Sequence, residues 1–355
     1  MPAKEYQLSD FDFDLPPELL AEYPSEKRDS SRLMVISRSS GKITHHIFNE
    51  IGNFLSTGDL LVLNDTKVIP AKLEAQKHHP KNKGARIKVL LLSPTSGQVP
   101  GWNMLLDPMR KIEVGTRLTF KNGIVGQVDE IRSEKEARVI FPEVLNGEDL
   151  RESLFGIGKI PLPPYIKRDV TEADSTRYQT IYATNEGALA APTAGLHFTE
   201  GLLHQLGDKG VDQAFLTLDI GMGTFNPIYK EDLNDVKMHR ESYNIPLLTA
   251  EKINETRAPN KVLAVGTTTL RALESATNQD GIVHAGPSQS ELFIKPGYTF
   301  NSQTALLTNF HTPKSSLLMM ISAFMGYELT KEVYARAVEQ KYRFFSYGDA
   351  MLILN

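Results

Sequence analysis

The chain has 355 residues, 41% of them hydrophobic and 23% charged, with a formal net charge of -4, a composition typical of a globular protein of about two domains. It contains no cysteine, which excludes disulfides, thiolate nucleophiles, cysteine-ligated zinc and iron–sulfur clusters. No apolar run reaches the ~18 residues of a membrane span, and the opening MPAKEYQLSDFDFDL has no apolar signal-peptide region, so we expect a cytoplasmic protein.

The first predicted elements belong to an α/β layered main domain, whose first segment we place at residues 1–66. A strand is predicted at Leu33–Ile36, and the continuous apolar run Leu60–Leu63 is typical of a strand buried on both faces. Ahead of the first strand, Arg28 and Arg32 flank two serines. This combination suits a carboxylate or a phosphate, and it is as often a structural salt-bridge corner.

Residues 67–150 have a different character, with short β-rich runs separated by Gly, Pro and Asn clusters and no helical period. The runs are Ile87–Leu92, Arg117–Phe120, Ile124–Ile131 and Ala137–Phe141. This spacing predicts a small antiparallel β-barrel domain inserted in the main domain.

The most basic window of the chain opens the inserted domain. Against the single acidic residue Glu74, the basic side chains are Lys67, Lys72, Lys77, Lys81, Lys83, Arg86 and Lys88. Such a window suits a phosphate backbone. Taken alone, however, it favours a solvated hairpin whose lysines protect a sheet edge.

The second segment of the main domain, residues 151–355, alternates strands with helices. Strands are predicted at Asp212–Leu218, Val262–Val265, Leu292–Ile294 and Ala350–Leu354. Helices are predicted after Thr199, through Leu270–Ala276, at Ser316–Phe324 and from Thr330 to about residue 342. Repeated β-then-α order predicts an α/β layer structure.

Several polar groups fall at predicted helix entrances, where backbone N–H groups favour an anion. In AAPTAGLHFT, Pro192 and Gly195 fix a turn that leaves Thr193 and His197 exposed to a ligand. An ordinary loop with a surface histidine is the alternative. GTTT follows a predicted strand in the same way, with Thr267 at the entrance and an arginine one turn further, and TNFHTPKSS does so with an asparagine and a histidine.

His239 and Glu241 form a possible acid–base pair, because residues two apart lie on one face of an extended segment. A structural histidine is the alternative. The nine histidines show no HExxH or comparable spacing, so we expect no metal site.

LDIGMGTF, Leu218–Phe225, resembles the glycine-rich S-adenosylmethionine loop of Rossmann-type methyltransferases. That loop needs a helix directly after it. Here Asn226 and Pro227 follow, and Asn-Pro favours a turn. A methyltransferase is therefore the second interpretation.

Ordered motifs run nearly end to end: DFDFDLPPELLAEYP, SRLMV, GDLLVLNDTKVIPAKL, PLPPYIKR, RYQTIYA, AAPTAGLHFTEGLL, GMGTFNPI, MHRESYNI, VGTTTLRALE, FIKPGYTF, TNFHTPKSSLLMMISAF and YRFFSYGDAMLI. Together they resemble the S-adenosylmethionine:tRNA ribosyltransferase-isomerase family of queuosine biosynthesis. Coverage is weakest over residues 76–148, where the family itself varies.

The chain departs from the family pattern at Lys67, where the family usually has Arg, and at Asp219, where it has His. The family usually has a second histidine near the position of Val236. It has Leu where this chain has Thr312 and Thr where this chain has Ser316. Lysine keeps the charge at residue 67 without the planar fork of arginine. The histidine candidates that remain are His197, His239 and His311.

The resemblance implies transfer and isomerisation of the ribosyl part of S-adenosylmethionine onto 7-aminomethyl-7-deazaguanine in tRNA. The products are epoxyqueuosine-tRNA, adenine and methionine. A base must remove a proton from the carbon beside the sulfonium, and departing adenine needs an acid. No cofactor is implied beyond S-adenosylmethionine, which is consumed, and we expect a monomer. A non-catalytic RNA-binding protein is a further alternative.

Under this resemblance the candidate residues take specific roles. The acid–base candidates are His239 with Glu241, and His197. The groups expected to hold the methionine carboxylate or the ribose hydroxyls are Thr193, Thr267 and Arg271. Ring faces for the sulfonium, each contact worth roughly 0.5–2 kcal/mol, are expected from Phe198, Phe225 or Tyr347. The groups expected to read a base edge are Asn309, His311 and Asp349. The predicted tRNA phosphate contacts are Lys67, Lys77, Lys81 and Lys83.

Overall fold

The computed structural model describes residues 5–78, 84–221, 228–236, 238–302 and 304–355. The chain divides into two compact units. The main unit comprises Met1–Lys67, Pro163–Arg168 and Arg177–Asn355, and the smaller unit comprises Val68–Leu162 and Asp169–Thr176. Among the described residues the main unit holds a nine-stranded sheet and the smaller unit a closed barrel, which confirms the predicted α/β fold with an inserted antiparallel barrel.

The described residues form the following strands and helices. The strands are β1 (Arg32–Ser37), β2 (Ile43–Ile47), β3 (Leu60–Asn64), β4 (Thr66–Val68), β5 (Lys72–Lys77), β6 (Arg86–Thr95), β7 (Gly101–Asp107), β8 (Arg117–Phe120), β9 (Val125–Ile131), β10 (Glu136–Ile140), β11 (Asn185–Ala188), β12 (Asp212–Leu218), β13 (Glu241–Ile245), β14 (Val262–Val265), β15 (Gly286–Ser290), β16 (Thr304–Asn309) and β17 (Ala350–Leu354). The helices are α1 (Gly147–Phe155), α2 (Asp174–Arg177), α3 (Glu200–Asp208), α4 (Leu247–Glu255), α5 (Thr267–Ala276), α6 (Ser316–Met325) and α7 (Tyr327–Glu339). Searched over the described residues, no helix combines the length and the hydropathy that crossing a bilayer requires.

The main sheet has a parallel centre. Its strand order is β15-β13-β12-β3-β14-β16-β17-β1-β2, and β12, β3, β14 and β16 run parallel, whereas β17 runs antiparallel to β16. The carboxyl ends of β3, β14 and β16, at Asn64, Val265 and Asn309, therefore lie along one edge. β17 begins at the same edge, because Ala350 pairs with Asn309. This is the edge at which α/β proteins place ligands.

The sheet is buried on both faces, as the apolar runs of β3 and β14 predict. Leu60 and Val62 of β3 belong to one hydrophobic cluster with side chains of α5, α6 and α7. Leu61 and Leu63 belong to another, with α3 and the 3-10 helix Phe48–Phe54. Each fully buried aliphatic side chain contributes roughly 1.5–3 kcal/mol. Both layers of helices thus fix the position of the strand ends.

The smaller unit is a barrel with the strand order β10-β7-β6-β5-β8-β9. Along β5, Leu73 and Ala75 point inward while Lys72 and Glu74 are exposed, which is the period-two alternation expected of a strand with one buried face. At Gly126 an added Cβ would lie 2.6 Å from Val139 Cγ1. Only glycine therefore allows β9 and β10 to approach so closely here.

The predicted strands of the main unit are present except for one, and several of its elements were not predicted. Leu292–Ile294 is not a strand. Its apolar side chains, including the buried Ile294, pack against the main core without joining the sheet. The strand that pairs with β14 is β16, Thr304–Asn309. The sequence pattern predicted neither β16 nor β11, β13, β15 and α4.

Candidate active site

A cavity lined by both polar and apolar side chains lies at the carboxyl edge of the main sheet. Its empty volume, open solvent included, is about 510 Å³. Its wall is supplied by residues 191–194, residues 266–268, Thr308, Asn309 and His311 at the end of β16, and the pair Phe345 and Ser346. All of these residues belong to the main unit.

The first wall is the 3-10 helix Thr193–His197, which Pro192 precedes. Gly195 is required in this turn, because an added Cβ would lie 2.0 Å from the hydroxyl oxygen of Tyr182. Thr199 then caps α3 by accepting a hydrogen bond from the Leu202 N–H at 3.2 Å, as predicted. Together these turn residues hold the Thr193 side chain at the cavity.

The second wall is the entrance of α5. Gly266 has φ +101°, a left-handed conformation that favours glycine, and no side chain caps the helix. Its first N–H groups therefore remain available to an anion. Thr267 and Thr268 line the cavity, whereas the Thr269 hydroxyl donates back to the Val265 carbonyl at 2.8 Å, so the third threonine of the motif is structural.

A hydrogen-bond chain, Thr193–Asn309–His197–Ser31, leads from the cavity into the protein. The Thr193 hydroxyl donates to Asn309 Oδ1 at 3.1 Å, and Asn309 Nδ2 lies 3.1 Å from His197 Nε2. Since an amide nitrogen can only donate, Nε2 accepts and the ring proton resides on Nδ1. Nδ1 then donates to Ser31 Oγ at 2.6 Å, and Ser31 donates to the Arg28 carbonyl at 3.1 Å.

His197 is therefore held as a neutral ring at the centre of this chain. Burial lowers its pKa to about 4, its ring stacks on Phe48 with centroids 4.9 Å apart, and both ring nitrogens are engaged. It does not line the cavity. Its predicted role as an acid–base catalyst stays a prediction, and the geometry favours a positioning role through Asn309.

His311 does line the cavity. Its Nε2 lies 3.1 Å from the Thr308 hydroxyl, and its backbone N–H donates to the Tyr334 hydroxyl at 3.1 Å. Burial lowers the pKa of the ring to about 3, so it meets a ligand as a neutral imidazole. That state suits hydrogen bonding to a base edge, the role predicted for it.

Acidification should destabilise the protein through these two buried histidines. Their folded-state pKa values, about 4 for His197 and about 3 for His311, lie below the ordinary 6.5. Between those values only the unfolded chain binds the protons, so this stability is complete above pH 6.5 and is lost as the pH falls towards 4. Each histidine should lower the free energy of unfolding by about 1.4 kcal/mol per pH unit in that window.

Urea denaturation at pH 7.5 and pH 5.0 measures this effect. His197→Gln, which can still donate and accept hydrogen bonds, should show a shallower pH dependence than the unchanged protein. Equal pH dependence of the two proteins would contradict the assignment of His197 as a buried neutral ring.

Glu241 and Arg271 are brought together, but away from the cavity. Both are buried, and they form an ion pair. Burial lowers the pKa of Arg271 to about 10, which leaves the guanidinium charged at neutral pH. His239 is exposed, outside the cavity wall. The structure therefore pairs Glu241 with Arg271, and this ion pair argues against both the His239–Glu241 acid–base pair and a methionine-carboxylate role for Arg271.

The remaining predicted ligand groups are placed as follows. Phe198 is fully buried, its ring is perpendicular to that of Phe48, and it does not line the cavity, so it does not offer a face to a sulfonium there. Asp349 is buried and accepts from the Arg32 N–H at 3.0 Å and the Arg343 N–H at 2.8 Å, which makes it a brace for the loop ahead of β17. Tyr347 lies in a neighbouring cleft. Phe225 lies outside the described residues.

The predicted tRNA-binding lysines are only partly described. Lys67 forms an ion pair with Glu186 at 3.0 Å, and the Lys77 ammonium donates to the Lys111 carbonyl. Lys81 and Lys83 lie outside the described residues. Their contact with tRNA stays a prediction.

Several polar residues in or behind the cavity wall were not among the predicted site residues. Ser31 ends the hydrogen-bond chain, and Thr268, Thr308 and Ser346 add hydroxyls to the wall. Two of them had a visible signal: Thr268 belongs to the GTTT motif, and Ser31 lies between two arginines. Asp219, where the family usually has His, accepts from the Thr66 hydroxyl at 2.9 Å, and burial raises its pKa.

A larger cleft of about 960 Å³ lies between the N-terminal segment 10–14 and helices α6 and α7. Its polar side chains are mostly engaged: Asp12 pairs with Lys314 at 2.6 Å, and the Tyr327 hydroxyl donates to the Asp10 carbonyl at 2.8 Å. The carboxyl-edge cavity is the better candidate, because buried polar groups from several strand ends converge on it. Within the part of the chain that is described, no three His, Asp or Glu side chains are grouped closely enough to hold a metal ion.

Comparison with known proteins finds relatives that match nearly the whole chain. A family model described as "Queuosine biosynthesis protein" matches residues 8–353. The S-adenosylmethionine:tRNA ribosyltransferase-isomerase of Flavobacterium psychrophilum is 45% identical over 351 residues, covering 98% of this chain and 100% of the relative. That of Lachnoclostridium phytofermentans is 45% identical over 356 residues, covering 97% and 96%. The crystal structure of the S-adenosylmethionine tRNA ribosyltransferase from Thermotoga maritima matches with a TM-score of 0.54 and 35% identity, covering 97% of this chain and 100% of that one.

Proposed function

The chain belongs to the queuosine biosynthesis protein family, and from that premise we propose that it is an S-adenosylmethionine:tRNA ribosyltransferase-isomerase, the activity for which its relatives are named. It transfers and isomerises the ribosyl moiety of S-adenosylmethionine onto 7-aminomethyl-7-deazaguanine in tRNA. The products are epoxyqueuosine-tRNA, adenine and methionine. The observation that carries the proposal is the match of the family model over residues 8–353.

The cavity has the chemistry that the donor substrate requires. S-adenosylmethionine carries ribose hydroxyls, a carboxylate and a sulfonium beside apolar carbon. Thr193 and Thr267 supply hydroxyls, and the uncapped entrance of α5 favours an anionic group. Ala191, Ala194 and Leu317 supply apolar wall. We assign the ribose hydroxyls and the carboxylate to Thr193 and Thr267 on this basis.

Proton transfer must occur in a site from which bulk water is largely displaced. Removal of the proton beside the sulfonium and protonation of departing adenine each need a positioned group. His311 is the histidine that lines the cavity, and we assign it to the base edge of a substrate as a neutral donor–acceptor. Asn309 has both ends of its amide engaged within the protein, so its role is to hold Thr193 in place.

The remaining partners follow from the same proposal. S-adenosylmethionine is consumed as the ribosyl donor, and no separate cofactor is proposed. Lys67 and Lys77 are proposed tRNA phosphate contacts, in exchange for the weak surface contacts that they make now. A monomer in the cytoplasm is part of the proposal.

Release of free adenine is the test. The protein is mixed with S-adenosylmethionine and tRNA bearing 7-aminomethyl-7-deazaguanine, and the products are separated by liquid chromatography. We expect adenine and methionine in equal amounts, with none when the tRNA carries guanine at that position. S-adenosylhomocysteine in place of adenine would indicate a methyltransferase, and tRNA binding without any small-molecule product would indicate a non-catalytic RNA-binding protein. Either result would refute the proposal.

A further inference from the structure

A second, smaller cleft lies beside the active-site cavity in the main unit. Its empty volume, open solvent included, is about 250 Å³, and its polar lining residues are Ser25, Arg28, Arg177, His197, Ser346 and Tyr347. Ser346 lines both spaces. His197 connects them as well, because its Nε2 accepts a hydrogen bond at 3.1 Å from Nδ2 of Asn309 in the active-site wall. A group bound in this cleft would therefore lie next to the reacting substrate.

Two arginines from distant parts of the chain meet in this cleft. Arg28 is the first arginine of the segment that the sequence analysis singled out, and Arg177 opens the RYQTIYA motif. Arg32, the second arginine of the first segment, is used elsewhere: it donates to the Gln340 carbonyl at 2.7 Å and lies over the ring of Tyr342. Of the two arginines in the sequence motif, Arg28 is thus the one directed to the cleft.

Backbone carbonyls hold both guanidinium groups in place. Arg28 Nη1 donates to the Leu196 carbonyl at 3.2 Å. Arg177 donates to the carbonyls of Glu26 at 3.1 Å and Ser25 at 2.6 Å. A carbonyl fixes the orientation of a guanidinium but does not cancel its charge. Arg177 Nε is, in addition, buried with no hydrogen-bond partner among the described residues.

The positive charges of Arg28 and Arg177 favour binding of an anion in the cleft. Burial and the charge of Arg177 both lower the pKa of Arg28, and the other ionisable groups that act on it are Tyr347 and Tyr182. Two like charges held close together in a half-buried place are unfavourable unless a negative group joins them. Arginine forks suit carboxylate and phosphate oxygens in particular.

We propose that Arg28 and Arg177 form an oxyanion subsite that binds one carboxylate or phosphate group of a substrate beside the active-site cavity. This inference rests on the proposed function, which defines the substrates that could supply the group. The source is either the carboxylate of S-adenosylmethionine or a phosphate of the tRNA.

Arg177→Gln and Arg28→Gln test the subsite, with Arg257→Gln as the matched control. Arg257 is an exposed arginine of the main unit outside both clefts. Thermal unfolding first establishes that each variant is folded. Binding is then measured directly, so that the result does not depend on turnover: S-adenosylmethionine and its decarboxylated analogue by calorimetry, and tRNA by filter binding at several salt concentrations.

The two sources give different results. If the carboxylate binds here, the unchanged protein should prefer S-adenosylmethionine over the decarboxylated analogue by about 10- to 100-fold, and the Arg177 and Arg28 variants should lose that preference. If a phosphate binds here, the slope of log affinity for tRNA against log salt should fall by about 0.7–0.9 in those variants. Arg257→Gln should retain both the preference and the slope of the unchanged protein.

An Arg177 or Arg28 variant that is folded and keeps both the preference and the slope would overturn the subsite. Failure of the proposed function is a separate outcome: the unchanged protein would then release no adenine, whatever these binding measurements give. Arg177→Lys adds a check on geometry. It keeps the charge without the fork, so we expect it to restore most of the tRNA salt slope but little of the carboxylate preference.

Discussion

Asn309→Ala should lower kcat/KM for adenine release at least about 100-fold, the loss typical of a misplaced positioning contact in an active site. Asn309 joins the Thr193 hydroxyl, which faces the cavity, to the buried His197 ring. Without the amide, Thr193 is free to rotate away from its substrate. His197 Nε2 also loses its donor in a buried place, which should cost about 1–3 kcal/mol of stability.

The kinetic pattern separates positioning from a general loss of folding. We expect the decrease mainly in kcat, measured on protein shown by thermal unfolding to be folded, because the contact organises the bound substrate more than it attracts it. Asn53→Ala, at an exposed asparagine, should stay within about twofold of the unchanged protein, as surface substitutions usually do. A folded Asn309→Ala protein with near-normal kcat would refute the role of the hydrogen-bond chain.

Removing either partner of the Glu241–Arg271 pair should cost about 3–5 kcal/mol of folding free energy, because the other charge would remain buried alone. Both side chains are almost entirely buried, with 6% and 4% of their surface exposed. Glu241→Leu and Arg271→Leu should each show this loss in urea denaturation. The double variant should lose less than either single variant, because it buries no unpaired charge.

A surface pair provides the comparison. Glu332 and Arg336 lie 2.6 Å apart with about half of each side chain exposed, and Glu332→Ala should cost only about 0–1 kcal/mol. If Glu241→Leu also cost less than 1 kcal/mol, or if the double variant were worse than the sum of the single variants, the pair would not be a buried ion pair of the main core.

The parts of the fold that the sequence predicts are those with local patterns. The apolar runs of β3 and β14 and the turn-rich alternation of the barrel strands depend on neighbouring residues, and both were interpreted correctly. β16 was missed, because TALLTN is short and polar at both ends. Leu292–Ile294 was wrong for the opposite reason, since its apolar residues pack in the core without joining a ladder.

The convergence of four candidate residues on one cavity was predictable from the sequence, but their individual contacts were not. Thr193, Thr267, Asn309 and His311 each stand at a helix entrance or strand end, and the parallel sheet brings them to one edge. Which partner each side chain takes depends on contacts across long stretches of chain. Ser31, for example, is hydrogen-bonded to His197, 166 residues further along the chain, and no local sequence pattern predicts such a contact.

The place of β17 in the main sheet bears on how the chain is made. β17 lies between β16 and β1, so the β1–β2 hairpin joins the sheet only through it. The ribosome delivers β17 after every other described strand, and the hairpin made first must wait until then for its partner. Until β17 is made, the edges of β1 and β16 that it will pair with are both open, and a nascent-chain chaperone would protect them from pairing with other chains.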